Sequence, residues 1–269
     1  MSKYYISGLY IYPVKSLGGI RLQSAEVTNR GLKNDRRWLL VDESGKFITQ
    51  RTHPQMALIS VELREKSLEF NHKNINASLL INTENVSKEK IEVVIWDDSV
   101  PAKKVCAEAD EWFSDMLNLK CRLVYMPDES IRPVDKKYSF DNEIVGFADA
   151  YPFLLMGQSS LDDLNSRLQD KLPMNRFRPN IVFNGGDPFD EDCIKSFSVG
   201  GVTFYPVKPC ARCVVTTIDQ VSGVKNEEPL KTLSTYRTVN NKVMFGQNLL
   251  HRGSGLISVG DEMKIIEWK

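Results

Sequence analysis

The chain has 269 residues, 42% of them apolar, and its 35 lysines and arginines balance 35 aspartates and glutamates. That length can bury one large core or two closely packed ones, and zero net charge gives no general attraction to nucleic acid or to an anionic membrane. Five cysteines is an odd, low count that excludes a disulfide framework and fits a reducing compartment. Residues 1–12 lack the long apolar run of a secretion signal, and no stretch is long enough to cross a bilayer. The expectation is a soluble, cytoplasmic protein with no membrane association and no stable nucleic-acid partner.

Residues 4–12 are rich in aromatic and β-branched types and predict a first strand. Pro13 ends it, which puts Lys15 and Ser16 on the turn before Gly18-Gly19. Such a pair can hold a phosphate, lysine by charge and serine by hydrogen bonding, or can be an ordinary solvated turn. Residues 31–38, Gly-Leu-Lys-Asn-Asp-Arg-Arg-Trp, lead into a strand at 39–41, a turn at 42–45 and a return at 47–49. Asp35 beside Arg36, Arg37 and Trp38 forms a dense polar cluster at a strand mouth, either an ion-pair network or an anion site. Arg51 and His53-Pro54 lie on the next connection, and a strand resumes at 57–63.

Residues 67–95 read as short strands with apolar pieces at 68–70, 79–81 and 91–95 and an exposed loop at 82–90. Trp112, Phe113, Met116 and Leu117 recur at three- and four-residue spacing opposite Glu108, Asp110, Glu111 and Asp115, predicting a helix over 107–119 that packs on a sheet. A strand at 121–126 and a charged, proline-containing connection at 127–143 follow. Asp149-Ala150-Tyr151-Pro152 precedes a strand at 153–156. Ser160 and Asp163 read as a capping box opening a helix with Leu161, Leu164 and Leu168 on its buried stripe. Asn175-Arg176-Phe177-Arg178-Pro179-Asn180 before a strand at 181–183 repeats the basic strand-mouth theme, and residues 187–192 are an acidic counterpart, able to pair with those arginines or to form a solvated turn. Residues 256–259 and 263–266 read as a closing hairpin. Many short strands with glycine-rich turns predict a β-dominated α+β fold with a barrel-like core and a few covering helices. Neither a Gly-x-Gly-x-x-Gly fingerprint nor a Walker loop is present, which disfavours a nucleotide fold.

The chemistry is concentrated at 206–217, Pro-Val-Lys-Pro-Cys-Ala-Arg-Cys-Val-Val-Thr-Thr. Neighbouring positive charge favours a cysteine thiolate, the nucleophilic and metal-binding form. The β-branched run predicts a strand at 214–217 opened by Cys213, with Cys210 on the preceding loop. A Cys-x-x-Cys pair is also half of a structural zinc site, a dithiol redox centre, or two inert core cysteines. The other cysteines, 106, 121 and 193, form no second pair.

Six separated stretches, Tyr12-Pro13-Val14-Lys15-Ser16, Gly31-Leu32 through Trp38, Phe177-Arg178-Pro179-Asn180, Cys210-Ala211-Arg212-Cys213 with Thr216-Thr217, Glu228-Pro229-Leu230 and Phe245-Gly246-Gln247-Asn248, together resemble the MOSC domain family preceded by its N-terminal β-rich domain. The resemblance covers practically the whole chain and implies two packed domains, 1–126 and 127–269. It implies a molybdenum pyranopterin dithiolene cofactor with Cys213 as protein ligand to the metal and catalytic residue, and with Lys15, Ser16, Arg36, Arg178 and Asn180 binding the pterin and its phosphate. It further implies two-electron reduction of N-hydroxylated small molecules to amines or amidines; the alternative is a non-catalytic module that carries the cofactor or sulfur. A pyridoxal phosphate association also attaches to the domain family. Asp149, Tyr151 and Arg237 are expected around the pocket, where Ala150 and Tyr151 depart from the small hydroxylated residues of some relatives. The chain ends at Lys269 without the iron–sulfur domain of the longer bacterial relatives. Electrons are therefore expected from a separate donor, a flavin reductase with a haem or iron–sulfur carrier.

Overall fold

The computed structural model describes residues 4–269. Its main element is a nine-stranded sheet in the order Lys264–Trp268, Ile194–Val199, Val202–Ala211, Lys242–Arg252, Phe153–Gly157, Ile181–Asn184, Tyr5–Ile11 and Ile20–Leu22, with Thr238–Val239 paired to the long strand Lys242–Arg252. The pairings are antiparallel except that of Phe153–Gly157 with Ile181–Asn184. Those two are parallel because the helix Gln158–Ser166 crosses between them, as a parallel neighbour requires. A four-stranded sheet orders Trp38–Val41, Arg122–Tyr125, Asp98–Lys104 and Lys90–Ile95. Two three-stranded sheets join Gly255–Ser258, Ser24–Thr28 and Gly31–Leu32, and Ile59–Arg64, Ser67–His72 and Ser78–Asn82.

One core, with Phe153, Phe183, Phe197 and Phe204 fully or almost fully buried, lies against the nine-stranded sheet. A second collects Trp38, Phe70 and Phe113 under the helix Ala107–Leu117. The predicted amphipathic pattern holds there: Phe113 and Leu117 are buried, and Trp112 and Met116 pack beside them. Each buried phenylalanine contributes on the order of 2 kcal/mol of apolar transfer.

The expected closing hairpin does not form. Gly255–Ser258 pairs with Ser24–Thr28, and Lys264–Trp268 pairs with Ile194–Val199. The residues between are tied to the first strand, with Gly260 N–H donating to Ile6 O (2.8 Å) and Met263 N–H to Tyr4 O (3.0 Å). Separate pairing buries Ile257 and Met263 in the core of the nine-stranded sheet, which a local hairpin would forgo. The strand expected at 57–63 begins at Ile59, because Pro54 opens a 3-10 turn, Pro54–Leu58. Residues 47–49 contribute one bridge, Val41 to Phe47, not a strand. Ser160 is no N-cap: Gly157 is, and the buried Ser160 hydroxyl donates to Glu191 Oε2 (2.7 Å) while accepting from Phe189 N–H (2.8 Å).

Candidate functional site

The strand Tyr5–Ile11 delivers its end, Tyr12 to Leu17, against residues 35–38. Arg36 N–H donates to Tyr12 O, Trp38 N–H to Pro13 O and Lys15 N–H to Trp38 O, each 3.0 Å. Residues 146–149 join the same knot, with Phe147 N–H on Arg36 O at 2.7 Å. The strand Ile181–Asn184 brings Asn180, whose carbonyl accepts from Tyr10 N–H (2.9 Å). Four strand mouths thus open into one cavity of about 150 Å³, lined by Lys15, Ser16, Arg36, Arg178, Asn180 and Cys213, among others. All six residues expected to act together are brought together. Arg51, Asp149, Ala150, Tyr151, Arg212 and Asn248 also line it.

Its side chains are fixed before any ligand arrives. Asn180, 2% exposed, accepts at Oδ1 from Arg36 Nη1 and from Leu154 N–H and donates from Nδ2 to Tyr10 O, all 3.2 Å. Arg36 also donates from Nη1 to both Asp35 oxygens (2.8 and 2.7 Å). The guanidinium groups of Arg36 and Arg178 lie 4.2 and 4.1 Å from the ring centroid of the buried Tyr12, a cation–π arrangement that holds both planes. Arg178 Nη1 donates to Leu17 O (2.7 Å), and Gln50, wholly buried, donates to Ser16 O (2.6 Å). Ser16, Arg36 and Arg178 all hold left-handed backbone, φ 68°, 46° and 56°. Each costs about 1–2 kcal/mol for a non-glycine residue, and such outliers gather where function fixes the geometry.

Asp149 bridges the cations of the other wall: Lys15 Nζ donates to its Oδ1 (2.6 Å) and Arg51 Nη2 to its Oδ2 (3.0 Å). These two charges hold the half-exposed Asp149 carboxyl below the usual carboxylate range. Burial pulls the Lys15 ammonium down to about 8 although Asp149 resists, and pulls Arg178 down to about 10. Burial also disfavours the Arg51 charge, but Asp149 and the adjacent Cys213 thiol raise it on balance. Arg132, buried, donates to the carbonyls of Gly146, Ala148 and Asp149 (3.0, 2.5 and 3.0 Å) and to Asp98 (2.7 Å), which fixes the segment carrying Asp149.

The two cysteines exchange their expected settings. Cys210 lies on the strand Val202–Ala211, and Cys213 sits in extended backbone before the 3-10 turn Val214–Thr217. The β-branched run does not extend because both threonines bond backwards, Thr216 Oγ1 to Cys213 O (2.9 Å) and Thr217 Oγ1 to Val214 O (2.8 Å). Local side-chain bonds of this kind replace a ladder. A helical turn after Cys213 removes the argument from strand propensity against a dithiol centre; both cysteines are free thiols. Cys210 Sγ accepts from Arg212 Nη1 (3.1 Å).

Arg237 does not reach the cavity. It pairs with Asp192 and lies 4.2 Å from the Phe189 ring, captured by the acidic segment for which pairing with Arg176 or Arg178 and a solvated turn were both open. Arg176 instead pairs with Asp219 (3.3 Å). Arg51, Arg212 and Asn248 were not singled out for the site. Arg51, like Lys15 and Arg36, is a cation on a connection between strand segments, and Asn248 belongs to the Phe-Gly-Gln-Asn stretch.

Residues 3–120 match the MOSC N-terminal beta barrel domain and residues 142–264 match the MOSC domain. The chain belongs to the MOSC family. Its β-dominated α+β architecture is the MOSC fold with the N-terminal β-rich part, and the first strand of that part is built into the main sheet beside Ile181–Asn184. Mitochondrial amidoxime-reducing component 1 of Mus musculus is 31% identical over 97% of this chain and 82% of its own length. Mitochondrial amidoxime reducing component 2 of Homo sapiens is 34% identical over 86% and 72%, and component 1 of Danio rerio 32% over 95% and 83%. These names overturn the cytoplasmic expectation. Composition misled it, because few cysteines and zero net charge suit any reducing compartment. No helix among the described residues is long and apolar enough to cross a membrane.

Proposed function

We propose that this MOSC protein is a molybdenum-cofactor-dependent reductase of N-hydroxylated small molecules, with the cavity at the strand mouths as its active site. The observation that carries the reading is the union of two free thiols at the cavity, Cys210 and Cys213, with a concentration of cations. Five line the cavity (Lys15, Arg36, Arg51, Arg178, Arg212) against one carboxylate, Asp149, a local excess of four positive charges in a chain whose total is zero. Asp35, on Arg36, reduces the excess to three. An anionic, phosphate-bearing group suits such a site.

The donor set also fits. Among the described residues no group of three or more His, Cys, Asp or Glu could hold a metal ion. A metal at Cys213 must therefore bring most of its ligands with it, as a dithiolene does, and a soft thiolate suits it. Lys15, Ser16, Arg36, Arg178 and Asn180 would hold the pterin and its phosphate, and Cys213 would give the metal its protein ligand. The sole lysine lining the cavity, Lys15, is engaged by Asp149 and the Phe147 carbonyl (2.9 Å), so nothing in the site favours pyridoxal phosphate. The two domains we assign, 1–126 and 127–269, both contribute to the site.

When bound, the group supplies two-electron oxygen-atom transfer. The net reaction breaks the N–O bond, consumes two electrons and two protons, and releases the amine or amidine with water. A separate donor protein, a flavin reductase acting through a haem or iron–sulfur carrier, provides the electrons; the names of the amidoxime-reducing relatives support this class of reaction. Lys15 Nζ and the arginines neutralise the anionic group, and the Asp35–Arg36–Asn180 knot keeps them in place without reorganisation. Asp149 stays ionised and orients Lys15 and Arg51 instead of donating a proton.

The test is molybdenum and pterin content per chain, with reduction of benzamidoxime by a saturating donor, for wild type, Cys213→Ala and Cys210→Ala. Near-stoichiometric cofactor and activity are expected in wild type and Cys210→Ala. Cys213→Ala should lose at least a hundredfold in activity and hold its molybdenum weakly. Full activity in Cys213→Ala would sink the assignment; cofactor bound without reduction would favour the carrier module, and activity without molybdenum a thiol oxidoreductase.

A further inference from the structure

The tip of the hairpin formed by Lys90–Ile95 and Asp98–Lys104 is Trp96-Asp97, because Ile95 pairs directly with Asp98. Trp96 has φ 56°. A two-residue hairpin loop with positive φ at its first position takes glycine or asparagine there without strain; a bulky tryptophan is an outlier. The strain is not offset by core burial, since Trp96 remains 46% exposed. Its partners belong to the wall of the cavity. The indole Nε1–H donates to Asp149 Oδ1 (3.3 Å), and the Arg51 guanidinium lies 4.7 Å from the ring centroid. Phe47 meets the indole edge-to-face at 5.0 Å and 62°. Arg51 and Asp149 both line the cavity that contains Cys213.

Resting on the reductase reading above, we propose that Trp96 is a specificity-determining residue: an ordered aromatic rim that takes the aryl or heteroaryl part of an N-hydroxylated substrate whose N–OH end lies inside the cavity. Turn geometry explains the position of the hairpin tip but not the presence of tryptophan on it. A half-exposed aromatic already held by three neighbours loses little freedom when a flat group covers it, so its apolar area converts efficiently into affinity. The rim lies outside the cavity lining. Only a substrate that extends beyond its N–OH group meets it, and small alkyl substrates do not.

The experiment compares benzamidoxime with acetamidoxime in holoprotein normalised to molybdenum, for wild type, Trp96→Gly and Trp96→Phe. Glycine relieves the backbone strain, so Trp96→Gly should keep a Tm within a few degrees of wild type. For benzamidoxime its KM should rise about tenfold, the worth of one good aromatic contact, with kcat within twofold. For acetamidoxime both constants should stay within twofold, and Trp96→Phe should recover most of the lost selectivity. An equal loss for both substrates would show that Trp96 acts only by bracing Arg51 and Asp149, and unchanged variants would show no role; either overturns the proposal while leaving the reductase standing. A molybdenum-loaded wild type that reduces neither compound overturns both.

Discussion

Replacing Asn180 by leucine keeps the side-chain shape and the backbone bonds to Tyr10 and Leu154, and removes the polar contacts its side chain makes with three strand mouths. Leu154 N–H and the Tyr10 carbonyl both lose their 3.2 Å partner. Arg36 loses one acceptor and keeps Asp35. Asn180 is 2% exposed, so water does not replace these partners. Each buried backbone group left without its partner costs about 1–3 kcal/mol, and the added apolar side chain returns about 1 kcal/mol. The expected net loss is about 3 kcal/mol, or about 6–12 °C in Tm for a chain of this size. Scanning calorimetry of the ligand-free protein measures it directly, free of cofactor stabilisation. A fall of less than 2 °C would refute the claim that Asn180 organises the site before the ligand binds.

Two further outcomes concern the same wall. Burial holds Lys15 at about 8 in the folded chain against an ordinary 10.5. Between those values the unfolded chain binds the extra proton, so Lys15 opposes folding fully below pH 8 and the penalty disappears as pH rises toward 10.5, by up to about 3 kcal/mol. The Tm difference between ligand-free wild type and Lys15→Met should therefore move in favour of wild type from pH 7.5 to 10; a constant difference would contradict the assignment. Arg132→Met should cost about 2–3 kcal/mol, the scale for leaving buried carbonyls without their donor, because three carbonyls lose Arg132 while the half-exposed Asp98 turns to water. A Tm fall with cofactor content reduced beyond that of Asn180→Leu checks it, and an unchanged Tm would refute the bracing of Asp149.

Much of the fold was legible because apolar periodicity reports burial directly. The helix Ala107–Leu117 and the strands Ser67–His72, Ser78–Asn82 and Lys90–Ile95 fall where Phe113, Phe70, Ile81 and Val93 demanded. Asp98–Lys104 was missed, since Pro101, Lys103 and Lys104 conceal an alternation that buries only Val100 and Ala102. The strand reading at 214–217 failed because β-branched propensity is weaker than two threonine hydroxyls closing a turn. The false closing hairpin failed for a related reason: period-two patterns show which side chains are buried but not which neighbour supplies the hydrogen bonds.

By itself the sequence determined the chemistry of the site, because residue type is local information. A cation at each of several strand mouths, an asparagine before Ile181 and a thiol at 213 are all present in the chain as written. Tertiary structure decided which of these groups share a cavity. Asn180 meets Arg36 across 144 residues, Lys15 meets Asp149 across 134, and Trp96 reaches Asp149 across 53. It also put Cys213 near Arg51 and Cys210 on Arg212, both at the cavity, and sent Arg237 to Asp192 instead of the site. Pairings at such separations depend on sheet order and register, which are set by how the cores close and leave no local trace in composition or spacing.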